Sequence, residues 1–475
     1  MVFTSFTFIL LFLPVTLLLY VIFPSIKWKN GVLIVTSLLF YAWGEFQYTF
    51  VMIGSITLAW VAGCLIDKAR SHYWKRVFLI LGISGIISIL LYFKYAGFLI
   101  NNANLVIHLF RPAASIANVP VHLPIGISFY TFQSVSYLVD LYRGKIGVQR
   151  SLTKLALIKT FFPQLIAGPI VRYADVCQYI DERVLSVENF TFGARRFIYG
   201  FAQKILIADI VGKIADSIFG LAKSNSPDLS APVAWLGGIC YFFQIYYDFC
   251  GYSNMAIGMA RMFGFHFLEN FKHPYAARSV TDFWRRWHIS LSSWFRDYLY
   301  IPLGGNRAAP SRMYVNLFIV FSLCGLWHGA SWTYIIWGLF HGSILVIERQ
   351  RWMSGLIARL PRVASLAYVW LAVLVGWVIF RSESLQVILT YLRRMFEPVS
   401  GSIYARPLGS FLDPEICMAL AAAALFSFDI VPELSVRRMS LAGSYAFSAV
   451  LVAIFVVSII YLSGSTFSPF IYYRF

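Results

Sequence analysis

Apolar stretches of about 17 to 27 residues recur along almost the whole chain, near 2–24, 31–48, 49–66, 77–103, 122–142, 193–217, 231–249, 312–328, 331–348, 366–386, 413–431 and 444–462. About 20 apolar residues coil into a helix that crosses the hydrocarbon core of a bilayer, and a helix satisfies its own backbone polar groups there. The pattern predicts an all-α polytopic membrane protein, with residues 1–475 as a single integral-membrane domain. Composition excludes the alternatives: 59% of residues are apolar and 13% charged, and the mean hydropathy is +0.71. That is too little charge to coat a water-soluble fold or to keep a chain disordered.

The chain carries 39 Lys plus Arg against 21 Asp plus Glu, a net +18. In a membrane protein this excess belongs to inner loops and anionic headgroups, so lipid rather than nucleic acid is the partner it implies. DKARSHYWKR at 67–76 and RGKIGVQRSLTK at 143–154 read as inner loops, and 104–121, whose one charge is Arg111, as outer. The first run, Val2 to Phe23, has no positive region before it and is followed by Lys27 and Lys29. It reads as an uncleaved span with the N-terminus outside the cytoplasm. The stretch 395–412, rich in Gly, Ser and Pro, reads as a further outer loop.

Six scattered cysteines form no CxxC or paired spacing, so neither a metal site nor a disulfide framework is predicted. Nucleophile-elbow, Walker A, HExxH and Rossmann signatures are absent. Two regions break the pattern of simple spans. KTFFPQLIAGPIVRY at 159–173 is interrupted by Pro163, Gly168 and Pro169 and reads as a short broken or re-entrant element. Residues 252–311 are too polar for lipid and too aromatic for water, which predicts a layer covered by protein.

Three polar segments carry the candidate chemistry. In SVTDFWRRWHISLSSWFRDYLY at 279–300, Ser279 and Asp282 form a capping pattern. Trp284, Trp287, His288, Leu291, Trp294, Phe295 and Tyr298 follow at helical spacing, which predicts one amphipathic helix. His288 is then either a satisfied structural imidazole or a group facing a substrate passage. Arg285, Arg286 and Arg307, with Asn306 in the IPLGGNR turn, are candidates to meet donor phosphates, and Trp327 beside His328 is a further candidate to contact substrate or donor.

The second segment, LCGLWHGASWTYIIWGLFHG at 323–342, sets His328 and His341 beside glycines in apolar sequence. Ionisable groups at membrane depth default to function because their burial is costly. His328, flanked by Trp327 and Gly329 at the break between two spans, suits a general base; interhelical hydrogen bonding is the alternative, and the stronger one for His341. In the third segment, QIYYDFCGYSNMAIG at 244–258, Asp248 reads as a structural anchor among Gln244, Asn254 and tyrosines, paired with Arg285 or Arg286.

Long ordered stretches, among them FFPQLIAGPIVRY, FQIYYDFCGYSNMAIGMARMFGF, NFKHPYAARSVTDFWRRWHISLSSWFRDYLYIPLGGNR, GLWHGASWTYIIWGLFHG and the terminal FIYYRF, resemble the membrane-bound O-acyltransferases. The similarity is strongest to the bacterial alginate O-acetylation subgroup. The resemblance implies a ring of tilted transmembrane helices, with short re-entrant and interfacial helices around a central catalytic layer, and a catalytic core region at 122–348. It puts the family's catalytic histidine at His328 and its second conserved polar position at His288.

It further implies a multi-pass protein of the bacterial inner membrane that binds no resident cofactor. Acetyl groups from a cytoplasmic donor, acetyl-CoA, would pass to an exopolysaccharide with a periplasmic SGNH-hydrolase-like acetyltransferase and other polysaccharide-acetylation proteins as partners. D-alanyl transfer to a different envelope polymer and passive transport of acyl groups or polysaccharide are the alternatives. The acceptor polymer is not written in these motifs.

Overall fold

The computed structural model describes residues 1–166, 168–307, 309–397, 406–428, 440–464 and 470. The middle of the expected 395–412 loop and the terminal motif beyond Phe470 lie outside the described residues. Among the described residues every regular element is a helix, and the chain divides into two compact units, 1–193 with 259–268, and 194–258 with 269–475.

In the first unit, Ile26–Glu45 and Tyr48–Lys68 are helices, and His72–Leu90 continues through a π-helical turn to Phe110. The sequence pattern ends a span at 103, but nothing in NLVIHLF breaks a helix. Pro112 does, because the residue before a proline is driven out of helical geometry; Arg111 has φ −142° and ψ 83°. Tyr41, Met52, Ile56, Leu90, Ile127, Tyr130 and Leu165 form a buried apolar cluster across these helices. The broken element expected around Pro163 is present: one helix stops at Thr160 and a single turn, Phe162–Leu165, follows with Pro163 in its first turn.

Among the described residues, four helices are long and apolar enough to cross a membrane: Tyr48–Lys68, His72–Phe110, Arg362–Arg381 and Ala442–Gly464. Other predicted spans sit in helices of different extent. The 231–249 run begins a 32-residue helix, Ala231–Met262, that also takes in the whole polar 244–258 segment.

The second unit is built around aromatic rings. Tyr275 stacks on Phe242 at 3.8 Å and neighbours Trp287 and Trp370. The helices Pro310–His328 and Trp332–Glu348 pack closely enough that a Cβ on Gly325 would lie 2.1 Å from the Tyr334 carbonyl oxygen, and one on Gly338 2.2 Å from that of Phe321. Only glycine permits this backbone contact. It fixes the place of His328, the last residue of the first of these helices.

Candidate active site

The expected single helix over 279–300 is two short helices, Val280–Arg286 and Ile289–Phe295, followed by a π-helical turn, Arg296–Tyr300. The Ser279 cap holds, its hydroxyl accepting from the Asp282 N–H at 3.0 Å. A second cap comes from far along the chain: the buried Glu348 carboxylate accepts from the N–H groups of Val280 and Thr281 at 2.7 and 2.8 Å. A carboxylate at a helix N-terminus satisfies orphan donors and meets the positive end of the dipole.

The break falls at His288, whose φ of +43° and ψ of 55° are left-handed, a conformation that β-carbon sterics make costly for any residue but glycine. Backbone groups freed there are taken up by the 270–272 segment, since Lys272 N–H donates to the Arg286 carbonyl and Ile289 N–H to that of Asn270. His288 is fully buried, with the edge of Phe249 against its ring and its Nδ1 3.0 Å from Asn270 Oδ1.

His328 is also buried, its ring 4.8 Å from Trp327, 5.2 Å from Trp337 and 5.0 Å from Phe380. Trp327 in turn lies 6.0 Å from His288, so one indole bridges the two candidate histidines. His341 does not make the hydrogen bond between helices expected of it. It is boxed by Trp284, Trp337 and Phe340, and its two ring nitrogens lack a hydrogen-bond partner among the described residues.

A cavity of about 520 Å³ opens beside these rings. Arg285, Arg296 and Arg349 line it with Asn306, Tyr300, Ser292 and Ser293, and no carboxylate is among the lining residues. Its apolar wall includes Trp284, Phe321 and Cys324, and the Trp284 ring meets Trp337 at 5.7 Å. Two indoles packed edge to face thus lie between the cavity and His328.

Arg349 donates to the Tyr300 hydroxyl at 3.2 Å, and that hydroxyl donates to Asn306 Oδ1 at 2.8 Å. Arg296 is held by Asp297 at 2.7 Å, whose hydrogen bond and charge favour the guanidinium's charged form. Arg285 has no ion-pair partner among the described residues. The cavity is therefore electropositive and suited to anionic oxygens.

Of the residues expected to bind the donor, Arg285 and Asn306 line the cavity. Arg286 is paired instead with Asp282 at 3.0 Å, Arg307 is exposed and away from the lining, and Trp327 is packed between the histidines. Asp248, expected to pair with Arg285 or Arg286, meets a different cation. Its carboxylate lies 2.7 Å from Lys204 Nζ, which also contacts Asp209 at 2.5 Å, and neither Arg285 nor Arg286 is its partner.

Asn254 accepts from Arg196 and donates to Gln203, with Arg196 also paired to Glu269. Gln244 packs on Gly212, where a Cβ would meet its amide nitrogen at 2.5 Å. Lys204, Asp248, Asp209, Arg196, Glu269, Asn254 and Gln203 are thus linked to one another, whereas Gln244 Oε1 has no hydrogen-bond partner among the described residues. Sequence reasoning passed over Arg349, which lies outside every segment singled out, and Asn270, which opens the NFKHPYAARSVTDFWRRWHIS stretch but was given no role there.

The model of the MBOAT, membrane-bound O-acyltransferase family, matches residues 94–382. The chain is 39% identical to the "Probable alginate O-acetylase AlgI" of Pseudomonas putida over 100% of both chains. It is 36% identical to the peptidoglycan O-acetyltransferase of Helicobacter pylori over 82% of this chain and 78% of that one. With the teichoic acid D-alanyltransferase of Bacillus subtilis it shares 30% identity over 46% of this chain and 58% of the other. A helical membrane protein with buried histidines beside an arginine-lined cavity, matched by this model and by relatives along its full length, belongs to the membrane-bound O-acyltransferase family and is an O-acyltransferase.

Proposed function

We propose that this protein transfers acetyl groups from acetyl-CoA to hydroxyls of an exopolysaccharide, with alginate as the acceptor polymer. The observation that carries the reading is the arginine-lined cavity walled by Trp284, whose ring packs on Trp337, which in turn packs on His328. Its volume is in the range of small-ligand sites. Arg285, Arg296 and Arg349 would bind the donor's phosphates, with Asn306 and Trp327 in supporting contacts. Similarity over the whole of both chains to the Pseudomonas putida protein favours acetyl over D-alanyl transfer, where the match covers under half of this chain.

In this mechanism His328 is the general base. Its imidazole takes the proton of the acceptor hydroxyl as that oxygen attacks the acetyl carbonyl. The O–C bond forms, the C–S bond of the thioester breaks, and the proton held by His328 passes to the departing sulfur, releasing free thiol. His288 lines the route and orients the acceptor by hydrogen-bonding a hydroxyl next to the reacting one, whose proton it does not remove.

The catalytic core spans 122–348, and the protein works in the bacterial inner membrane with its N-terminus periplasmic. It takes donor from the cytoplasm and acts with a periplasmic SGNH-hydrolase-like acetyltransferase. A cysteine replacing Ala113 should then label from the periplasm and one replacing Ser71 should not, in protein cleared of native thiols.

The test of the reaction uses purified full-length protein in liposomes with its periplasmic partner, acetyl-labelled acetyl-CoA and alginate. Base-labile label on the polysaccharide is the expected result. A D-alanyl carrier thioester that supports transfer where acetyl-CoA does not would overturn the reading.

A further inference from the structure

We infer that Asn270 is a positioning residue: it sets the tautomer of His288, so that Nδ1 carries the ring proton and a bare Nε2 accepts from a neighbouring hydroxyl of the acceptor, not from the one whose proton His328 takes. The inference rests on the role proposed for His288. It starts from an amide whose orientation can be decided. A backbone N–H only donates, and the Ser290 N–H points at one terminal atom of the Asn270 side chain, 3.3 Å away. That atom must be the oxygen. The Ser290 hydroxyl also donates to it, at 2.8 Å. The opposite terminus, the amide nitrogen, is 3.0 Å from the Ser253 hydroxyl, which accepts from it. Both ends of the amide therefore agree on one orientation.

The same oxygen lies 3.0 Å from His288 Nδ1. Two acceptors cannot share a hydrogen bond, so Nδ1 is the donor, and in the neutral ring Nε2 then holds a lone pair. Nε2 is buried and has no hydrogen-bond partner among the described residues. Leaving an acceptor dry costs about 1–3 kcal/mol, and the left-handed backbone at His288 adds strain. A histidine kept for packing alone would gain from losing both. A hydroxyl that binds Nε2 removes the first cost, which is why the geometry points to an acceptor group there.

Asn270 is suited to the task because it holds ring and backbone together. It is fully buried, its side-chain oxygen takes the ring proton, and its backbone carbonyl accepts from Ile289 N–H at 2.9 Å, just past the strained residue. Turning the ring would break the first bond; relaxing the backbone would break the second.

The experiment compares Asn270→Leu, Asn270→Asp, Ser253→Ala and His288→Ala. Base-labile acetate on the polymer is measured in cells whose only enzyme of this class is this chain, normalised to folded protein recovered from membranes. Leucine keeps the size of asparagine and removes the acceptor, so transfer should fall on the order of 10- to 100-fold, short of the about 10²–10⁴ expected for loss of a general base. Aspartate keeps an acceptor at Nδ1 and should hold transfer within about threefold of wild type, as in other carboxylate-oriented histidines. Ser253→Ala, which leaves the acceptor in place, should do the same.

The inference is overturned if the leucine variant transfers normally per folded molecule, or if aspartate is no better than leucine. Normal transfer by His288→Ala would instead defeat the role of His288 itself, and the positioning role with it. A measurement on wild-type protein does not depend on how the Asn270 variants fold. The ¹⁵N spectrum of histidine-labelled membranes, assigned by the signals lost in His288→Gln, should show a protonated Nδ1 and an unprotonated Nε2 for His288. The opposite tautomer would overturn the inference outright.

Discussion

Two polar regions of the second unit bury charge in opposite ways. Around Lys204 the groups answer one another: its ammonium meets Asp248 and Asp209, and nearby Arg196 is held by Glu269 and Asn254. Around the cavity they do so only in part, Arg296 through Asp297 but Arg285 through no ion pair among the described residues. Arg285, Arg296 and Arg349 share one wall that no carboxylate lines, and His288 keeps a ring nitrogen with no hydrogen-bond partner among the described residues. Both regions are expensive to bury. The difference teaches where to look for a ligand: a balanced cluster is already complete, whereas an unbalanced one awaits the group that completes it.

The comparison breaks first at His328. Replacing it by Ala should cost about 10² to 10⁴ in acetyl transfer while leaving the amount of folded protein in the membrane unchanged, as read by immunoblot and size-exclusion profile. Normal turnover by a folded variant would remove the general base from the mechanism and leave the unbalanced region without its chemistry.

The balanced region should fail in the reverse manner. Lys204→Met strands two carboxylates and should destabilise the protein by about 3–5 kcal/mol, seen as lost membrane abundance, with near-normal specific activity in what survives. Adding Asp248→Leu to it should restore part of the abundance. A Lys204→Met protein that is abundant but inactive would move this cluster from scaffold to mechanism.

Smaller effects separate the arginines. Arg285→Ala and Arg349→Ala should each weaken donor binding by roughly 10- to 100-fold, the range for a hydrogen bond to a charged group of about 1.5–3 kcal/mol. Titration with acetyl-CoA would measure it, and the penalty should shrink as salt rises because screening already weakens the wild-type attraction. Arg307→Ala should change affinity by no more than about threefold, since an exposed charge contributes little. An Arg307 variant as impaired as Arg285 would mean that the anion is bound outside the cavity.

Much of the candidate site was legible in the chain. His328 stood at the edge of an apolar run beside Gly329, a place where a helix ends and a buried imidazole needs a reason. The Ser279 cap was legible because its partner, Asp282, is three residues away. By contrast, Trp284 through Tyr298 had the spacing of one helix, and the break at His288 depends on hydrogen bonds to Asn270 and Lys272, about 16 to 18 residues earlier. Helical periodicity does not register a competitor of that kind.

The sequence by itself determined the class of the protein. Runs of apolar residues long enough to span a bilayer, with too little charge for a water-soluble surface, admit little besides a helical membrane protein, because unpaired backbone groups are not tolerated in lipid. It also determined which residues were costly to bury: His288, His328, Asp248 and the arginines. Only the tertiary structure decided which of them are completed by the protein and which are not. Asp248 could have met any cation within reach and met Lys204. Arg349, outside every motif, came to share a wall with Arg285 across 64 positions of sequence. Charge pairing depends on separation in space, and that separation is set by how the intervening helices pack.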